Sequence, residues 1–171
     1  MTLSYGERWS LDRLRFNVPF TPEKAKKEHD KKRLYTALIE GGPEGAVVVV
    51  EMCFTHFTHC HVAFLDEQKR EVLVYSFTPA TGGRLFLSQT IERFYEGDSR
   101  SASYGKITKY EEDGSVRVRE GKAGSGHGNR DTVNEFKTTL DPRIHYEPIP
   151  EFGRYESITR RDRTQPPPSA A

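Results

Sequence analysis

The segment of the chain best suited to chemistry runs from Glu51 to His61, where three of the six histidines lie within six positions. His59 and His61 are two residues apart, and in an extended strand such residues project from the same face. Two imidazoles on one face bind a divalent transition metal such as zinc when a third ligand arrives from elsewhere. The candidates for the third ligand are Glu51, Cys53, His145 and His127.

A structural role competes with this metal hypothesis. The threonines and histidines of the segment would then line a hairpin bend, with one imidazole hydrogen-bonded to the backbone. The pattern His-X-His arises by chance, and the sequence has no Cys-X-X-Cys or His-Glu-X-X-His to reinforce it. The sequence therefore favours the structural role and keeps the metal site as a hypothesis.

Other residues with reactive side chains give weaker signals. Cys53 and Cys60 fall in apolar, strand-like sequence, where a thiol is usually inert packing rather than a nucleophile. The glycine-rich run 121–129 has no Gly-Lys-Ser/Thr at the spacing of a phosphate-binding loop, so we interpret it as a loop, with a lid as the functional alternative. Adjacent acidic residues such as Glu111 and Glu112 fall in predicted turns and receive no catalytic role.

Strands dominate the middle of the chain. Valine-rich 46–54 predicts a central strand, and residues 59–65 and 70–77 predict a hairpin around the polar loop 66–69. Asp113-Gly114 between two alternating segments predicts a second hairpin. Residues 14–20 also alternate and predict a half-buried strand. Further strands are expected at 84–87, 144–146 and 155–158.

Three segments carry helix signals. Thr21-Pro22-Glu23 predicts the start of a helix over 22–40 that Gly41-Gly42 ends, with a strand over 33–40 as the competing interpretation. Ser88 predicts the cap of a short helix that ends at Gly97, and Asp131 predicts another that ends at Asp141-Pro142. These elements together predict an α+β fold: a mostly antiparallel, partly closed sheet with two or three packed helices. A lipocalin-like β-barrel is the alternative if 22–40 is strand.

Length and composition limit the possible functions. The 171 residues suit one domain over 1–159, followed by a disordered basic and proline-rich tail over 160–171. Lys plus Arg total 26 against 25 Asp plus Glu, so the charge balance argues against nucleic acid as a partner. No apolar run predicts a signal peptide or a membrane span, and two cysteines suit a reducing compartment. We therefore expect a cytoplasmic protein without a membrane partner.

Two functions remain, from different classes. The first is a small-molecule or metal site, enzymatic or not, lined by His59 and His61 at the mouth of a curved sheet. The second is a protein-interaction module, such as an inhibitor or immunity-type partner, without catalytic activity. The first predicts that the two histidines point together into an enclosed space, and their concentration in one segment favours it.

Overall fold

The computed structural model describes residues 1–42, 45–53, 59–122 and 132–163. Within these ranges the chain forms thirteen strands and two helices. The strands are β1 (Thr2–Gly6), β2 (Trp9–Ser10), β3 (Arg15–Phe16), β4 (Pro19–Phe20), β5 (Tyr35–Glu40), β6 (Val47–Cys53), β7 (His59–Leu65), β8 (Glu71–Ala80), β9 (Arg84–Phe94), β10 (Tyr104–Tyr110), β11 (Ser115–Lys122), β12 (Thr132–Lys137) and β13 (Tyr146–Pro148). The helices are α1 (Pro22–Asp30) and α2 (Pro142–His145).

One antiparallel sheet of eleven strands organises the chain. Its main path runs β4, β1 and then β5 to β12 in chain order, so most neighbours are joined by a direct up-and-down connection. The long strand β9 has two partners on one side, because its first half pairs with β13 and its second half with β10. Strands β2 and β3 form a separate small hairpin, here called the N-terminal hairpin.

The predicted α+β class is wrong. Strands make up 52% of the described residues and helices 10%, and these residues form only two helices. The sheet is also open: β4 and β12 lie at its two ends and pair with β1 and β11, not with each other. A lipocalin-like barrel is therefore wrong as well. The physical reason is that segments expected to cover the sheet instead extend it.

The helix predicted over 22–40 ends at Asp30. Its start is confirmed, because the Thr21 side chain accepts a hydrogen bond from the backbone N–H of Lys24 at 3.3 Å. Lys32 then takes a positive φ of 53°, and the chain enters β5 between β1 and β6. All five residues from Tyr35 to Ile39 are buried, which suits a strand covered on both faces.

Two further helix predictions are wrong. The segment after Ser88 continues β9, and residues 132–137 form the outermost strand β12; Asp131, the predicted cap, lies outside the described residues. Val133 and Phe136, which fall within that predicted helix, project from a strand instead. Both segments end up beside partner strands whose ladder hydrogen bonds override their modest helical periodicity.

The remaining segment predictions are mixed. The hairpins around 66–69 and Asp113-Gly114 are confirmed, the latter with Gly114 at a φ of +84°. The strand expected over 14–20 is split into β3 and β4, which belong to different sheets. Residues 144–146 lie in α2 and the start of β13, and 155–158 form turns rather than a strand. Among the described residues, no helix has the length and apolar character needed to cross a bilayer.

The two faces of the sheet are covered differently. The core face carries the larger hydrophobic cluster, packed against α1 and the C-terminal segment 149–163; its members include Tyr35, Val50, Val62, Phe77, Leu87 and Ile158. The open face carries a smaller cluster of Leu38, Val49, Ala63, Leu65 and Val74, against which Trp9, Leu11 and Phe16 pack. Of the segments that the structure describes, the N-terminal hairpin with its connecting turn shelters the centre of the open face.

A buried tyrosine network ties the C-terminal segment to the core face. The Tyr35 hydroxyl lies 3.0 Å from Nδ1 of His29 on α1 and 3.1 Å from the hydroxyl of Tyr155. Phe152 stacks on Tyr5 of β1 with ring centroids 5.1 Å apart. Burial raises the pKa of both Tyr35 and Tyr155, so the hydroxyls stay protonated and act as hydrogen-bonding groups.

A buried ion pair also holds the C-terminal segment 149–163 against the sheet. Arg163 Nη1 donates to Glu147 Oε1 at 2.7 Å, and both side chains are only 6% exposed. The Arg163 guanidinium also lies 5.0 Å from the ring centroid of Phe77 and donates to the carbonyls of Ser157 and Ile158. Arg160 joins the carboxylate at 3.1 Å. Two arginines from the segment 160–171, predicted to be a tail, thus contact the folded sheet.

We predict that Arg163→Ala destabilises the protein by ~3–5 kcal/mol, because it leaves the buried carboxylate of Glu147 with one cation fewer. Urea unfolding followed by circular dichroism measures this change. Arg154→Ala is the matched control: its pair with Glu151 is 77% exposed at both ends, so the expected loss is below ~1 kcal/mol. Equal losses in the two variants would show that the buried pair is not a special contributor.

Candidate functional site

The register of β6, β7 and β8 places Glu51, His61 and Ser76 in one row across the open face. Glu51 lies opposite His61, and His61 lies opposite Ser76. Their chain neighbours Cys60 and Val62 point to the core face and are fully buried. Because side chains alternate along a strand, the burial of these neighbours fixes the direction of the row.

His59 and His61 lie side by side on the open face. Their ring centroids are 4.8 Å apart, with the planes inclined at 64°. Nδ1 of His61 lies 3.0 Å from the hydroxyl of Ser76, which holds the ring in place on β7. Cys53 lies opposite His59 in the next row of the sheet. The expectation that both imidazoles project in the same direction therefore holds.

A pocket of about 250 Å³ opens beside this row, under the N-terminal hairpin. Its lining consists of Trp9, Leu11, Val49, Glu51, His61, Ala63, Glu71 and Val74. Trp9 packs edge-on against Phe16 across the hairpin, with ring centroids 5.2 Å apart. We call this space the hairpin pocket. It combines mostly apolar walls with a small set of convergent polar groups, the usual make-up of a small-molecule site.

Trp9 contributes an unusual feature to the hairpin pocket. Its Nε1 is buried, yet no described atom accepts a hydrogen bond from it. A buried donor without an acceptor costs free energy, on the order of 1–3 kcal/mol. An acceptor on a bound molecule would recover that cost.

Two carboxylates lie on the wall of the pocket, and they differ in their partners. Glu71 accepts from Arg93 Nη1 at 2.7 Å, which neutralises its charge locally. Glu51 lies opposite His61 and raises the pKa of that imidazole. Glu51 is therefore the carboxylate better placed to meet a cation or a hydrogen-bond donor in the pocket.

Burial is the main influence on the ionisation of His61. It lowers the pKa of the imidazole, His59 lowers it further by charge repulsion, and Glu51 opposes both. The net pKa lies below the ordinary value of 6.5. His61 is therefore mainly neutral at pH 7 and can either donate or accept a hydrogen bond.

The hydroxyl–imidazole pair of Ser76 and His61 resembles half of a nucleophile–base arrangement. Acyl transfer needs, in addition, backbone or side-chain donors aimed at an oxyanion. Ser76 lies in the middle of β8, between β7 and β9, where ladder pairing uses the nearby backbone N–H groups. The geometry thus suits recognition of a molecule better than acyl transfer to it.

The other predicted metal ligands are not brought into this row. His145 lies at the end of α2, with its ring 4.7 Å from that of Tyr110 and 6.1 Å from that of Phe86, and it does not line the hairpin pocket. His127 lies outside the described residues. Within the described ranges, no group of three or more His, Cys, Asp or Glu side chains is arranged to hold a metal. The zinc site through His59, His61, Glu51, Cys53 and His145 stays a prediction.

The thiol of Cys60 has a packing role. It is fully buried in the core face, and burial raises its pKa far above the ordinary value. A thiol in this state is protonated at neutral pH and is a poor nucleophile. This placement agrees with the expectation that Cys60 is inert.

Wider concavities occur beside the hairpin pocket. One of about 820 Å³ lies on the other side of the N-terminal hairpin and includes Arg13, Arg15, Phe16 and Phe20, but neither His59 nor His61. Another of about 500 Å³ begins at His61 and Ser76 and continues over β9 and β10. We place the candidate site in the smaller hairpin pocket because its lining joins apolar walls to Trp9, Glu51 and His61.

Sequence reasoning missed Ser76 and Trp9 as members of the site. Ser76 was accessible in principle, because the hairpin around 66–69 sets the pairing of β7 with β8. No sequence signal pointed to Trp9. It reaches the pocket because the N-terminal hairpin, which is distant in sequence from β6 to β8, packs on the open face. No protein-family model, curated protein or solved structure matches this chain, so the site is interpreted from its own geometry.

We predict that His61 titrates below pH 6.5 in the folded protein, since burial disfavours the imidazolium. Proton NMR of the imidazole resonances, assigned with His61→Gln, measures the midpoint. Glu51→Gln should lower it further because the variant removes the charge that favours imidazolium, whereas Glu92→Gln, on the core face, should leave it unchanged.

The same shift affects stability in a defined direction. His61 takes up a proton at higher pH in the unfolded chain than in the folded protein. The contribution of neutral His61 to the free energy of unfolding is therefore complete above pH 6.5, and it declines as the pH falls through the lowered pKa of the folded state. A folded midpoint at or above 6.5 would contradict the burial of the ring.

Proposed function

We propose that the protein binds a small organic molecule in the hairpin pocket, through Trp9, Glu51 and His61. The expected ligand combines an apolar body, a hydrogen-bond acceptor and a cationic or donor group. The observation that carries the proposal is the convergence of apolar walls with Trp9, Glu51 and His61 in one pocket. The buried indole N–H of Trp9, which has no acceptor among the described atoms, adds a donor that a bound molecule can satisfy.

The walls of the pocket support an apolar ligand body. Val49, Ala63 and Val74 form the floor on the open face, and Trp9 with Leu11 form the opposite side. Burial of apolar surface between these walls is worth ~25 cal/mol per Å² before the costs of association. The volume of about 250 Å³ limits the occupant to a compact, metabolite-sized molecule.

The polar groups support one orientation of that ligand. The Trp9 indole can only donate a hydrogen bond, so it requires an acceptor on the ligand. An ionised Glu51 carboxylate can only accept, so it requires a donor. His61 serves either role because its lowered pKa leaves it neutral. With two carboxylates on the wall and no lysine or arginine among the described lining residues, an amine or amidinium is preferred to an anion.

An interaction role is the second candidate, and a separate observation favours it. Strands β10, β11 and β12 extend the sheet beyond its covered centre, and every residue of β12 is exposed. Val133 and Phe136 on that strand are 45% and 51% exposed. Exposed apolar side chains on an edge strand commonly mark a contact surface.

We predict that single-ring amines bind and matched anions do not. The protein has one tryptophan, so the fluorescence of Trp9 reports binding beside that residue, and Glu51 variants assign the signal to the hairpin pocket. Benzylamine, phenethylamine and benzamidine should shift this fluorescence saturably, whereas phenylacetate should not. Glu51→Gln should weaken amine binding by about tenfold or more, because a hydrogen bond to a charged group contributes ~1.5–3 kcal/mol.

Glu92→Gln is the matched control, because Glu92 lies on the core face, away from the pocket. This variant should bind amines as the natural chain does. Tighter binding of phenylacetate, or no saturable change with any of the compounds at millimolar concentration, would contradict the proposal. Elemental analysis provides a second check. One zinc per chain, lost in both His59→Ala and His61→Ala, would replace the small-molecule site with the metal site expected from the sequence.

A further inference from the structure

We propose that β12 is a self-association edge: it pairs antiparallel with β12 of a second copy, about a two-fold axis at Asn134. This inference is independent of the hairpin pocket, which lies at the centre of the sheet. It names the kind of partner that the exposed end of the sheet fits.

The two ends of the sheet differ in how well they are protected. At one end, β4 has two residues and contains Pro19, which offers no N–H to an incoming strand. At the other end, β12 has six residues without proline or glycine, all of them exposed. A strand of this length presents a row of backbone donors and acceptors that another strand can use.

The hydrogen bonds to β11 determine which backbone groups of β12 point outward. The N–H of Thr138 donates to the carbonyl of Gly114 at 2.9 Å, which continues the β11–β12 ladder. Residues that bond inward recur every second position in an antiparallel ladder, so Phe136, Asn134 and Thr132 bond toward β11. Val133 and Glu135 therefore direct their N–H and C=O groups away from the sheet.

Two-fold symmetry then selects the pairing. An axis perpendicular to the sheet keeps the faces aligned, so each residue must oppose one that projects from the same face. With the axis at Asn134, Val133 opposes Glu135 of the other copy, and both are residues with outward backbone groups. Thr132 opposes Phe136 of the other copy on the core face, which covers part of that exposed ring.

The neighbouring registers are less favourable. An axis at Glu135 would place two carboxylates directly opposite each other, which is destabilising. An axis at Val133 would shorten the overlap of the described residues from five positions to three. Of the three registers, the one centred on Asn134 has an overlap of five positions and places no two like charges opposite each other.

The charges of the edge do not oppose association. Glu135 pairs with Arg117 on β11 at 3.0 Å, and Lys137 pairs with Asp113 at 2.9 Å. Each charge on β12 is thus balanced within its own chain, so a second copy brings no net repulsion. The contact is small, which places it in the weak, reversible class of interfaces.

Site-specific cross-linking tests the pairing. Asn134→Cys, made in a Cys53→Ser background, brings two thiols together at the axis, where the Cα atoms of a non-hydrogen-bonded pair lie ~4.5 Å apart. Oxidation with diamide should give a disulfide-linked dimer on non-reducing gels. Val133→Cys and Glu135→Cys are the matched controls and should cross-link at least tenfold less, because neither residue opposes its own copy.

Sedimentation velocity over a concentration series tests the same edge without new cysteines. The natural chain should associate reversibly at the highest concentrations. Val133→Pro removes one outward N–H that β11 does not use and should abolish association, with the circular dichroism spectrum unchanged. Val133→Thr keeps the N–H and the branched side chain and should associate as the natural chain does.

Three results would overturn the proposal. One is preferential cross-linking of Glu135→Cys, which would assign a different register. Another is equal cross-linking at all three positions, which indicates random collision. The third is a natural chain that stays monomeric at millimolar concentration while Asn134→Cys fails to cross-link, which would leave the edge to a different partner.

Discussion

The alternation of side chains along β6, β7 and β8 is the constraint on which the rest of the structure depends. Cys60, Val62 and the residues paired with them bury the core face, and this burial sets the register of three neighbouring strands. A slip by one residue would turn Glu51 and His61 into the core and expose Cys60 and Val62. The hydrophobic core therefore positions the polar row, and the hydroxyl of Ser76 then holds the His61 ring within it.

The unequal covering of the two faces explains where a ligand can bind. On the core face, α1 and the C-terminal segment pack directly on the sheet, and the pair of Arg163 with Glu147 closes the far end. On the open face, the N-terminal hairpin and its connecting turn cover a smaller area with few side chains. The hairpin pocket is the space left between Trp9 and the strands below it. Its polar groups are a consequence of this partial cover, which admits Glu51 and His61 without burying them completely.

The far part of the sheet follows a different rule. Strand β12 pairs with β11 and has all of its residues exposed, so its stability rests on the ladder and on cross-strand pairs such as Arg117 with Glu135. The outer edge of such a sheet keeps backbone N–H and C=O groups that another strand can pair with. The centre of the sheet and its end thus offer two separate surfaces, one concave and one linear.

The sequence by itself determined the central strands, both tight hairpins, the cap of α1 and the shared face of His59 and His61. Each of these follows from local chemistry: valine-rich alternation, Asp-Gly at a positive φ, or a threonine side chain beside free amide groups. Only the tertiary structure decided that Tyr35–Glu40 and Thr132–Lys137 are strands, that the sheet stays open, and that Trp9 and Glu51 line one pocket. These outcomes depend on partners distant in the chain, because a short amphipathic segment takes the conformation whose hydrogen bonds and apolar contacts its neighbours can complete.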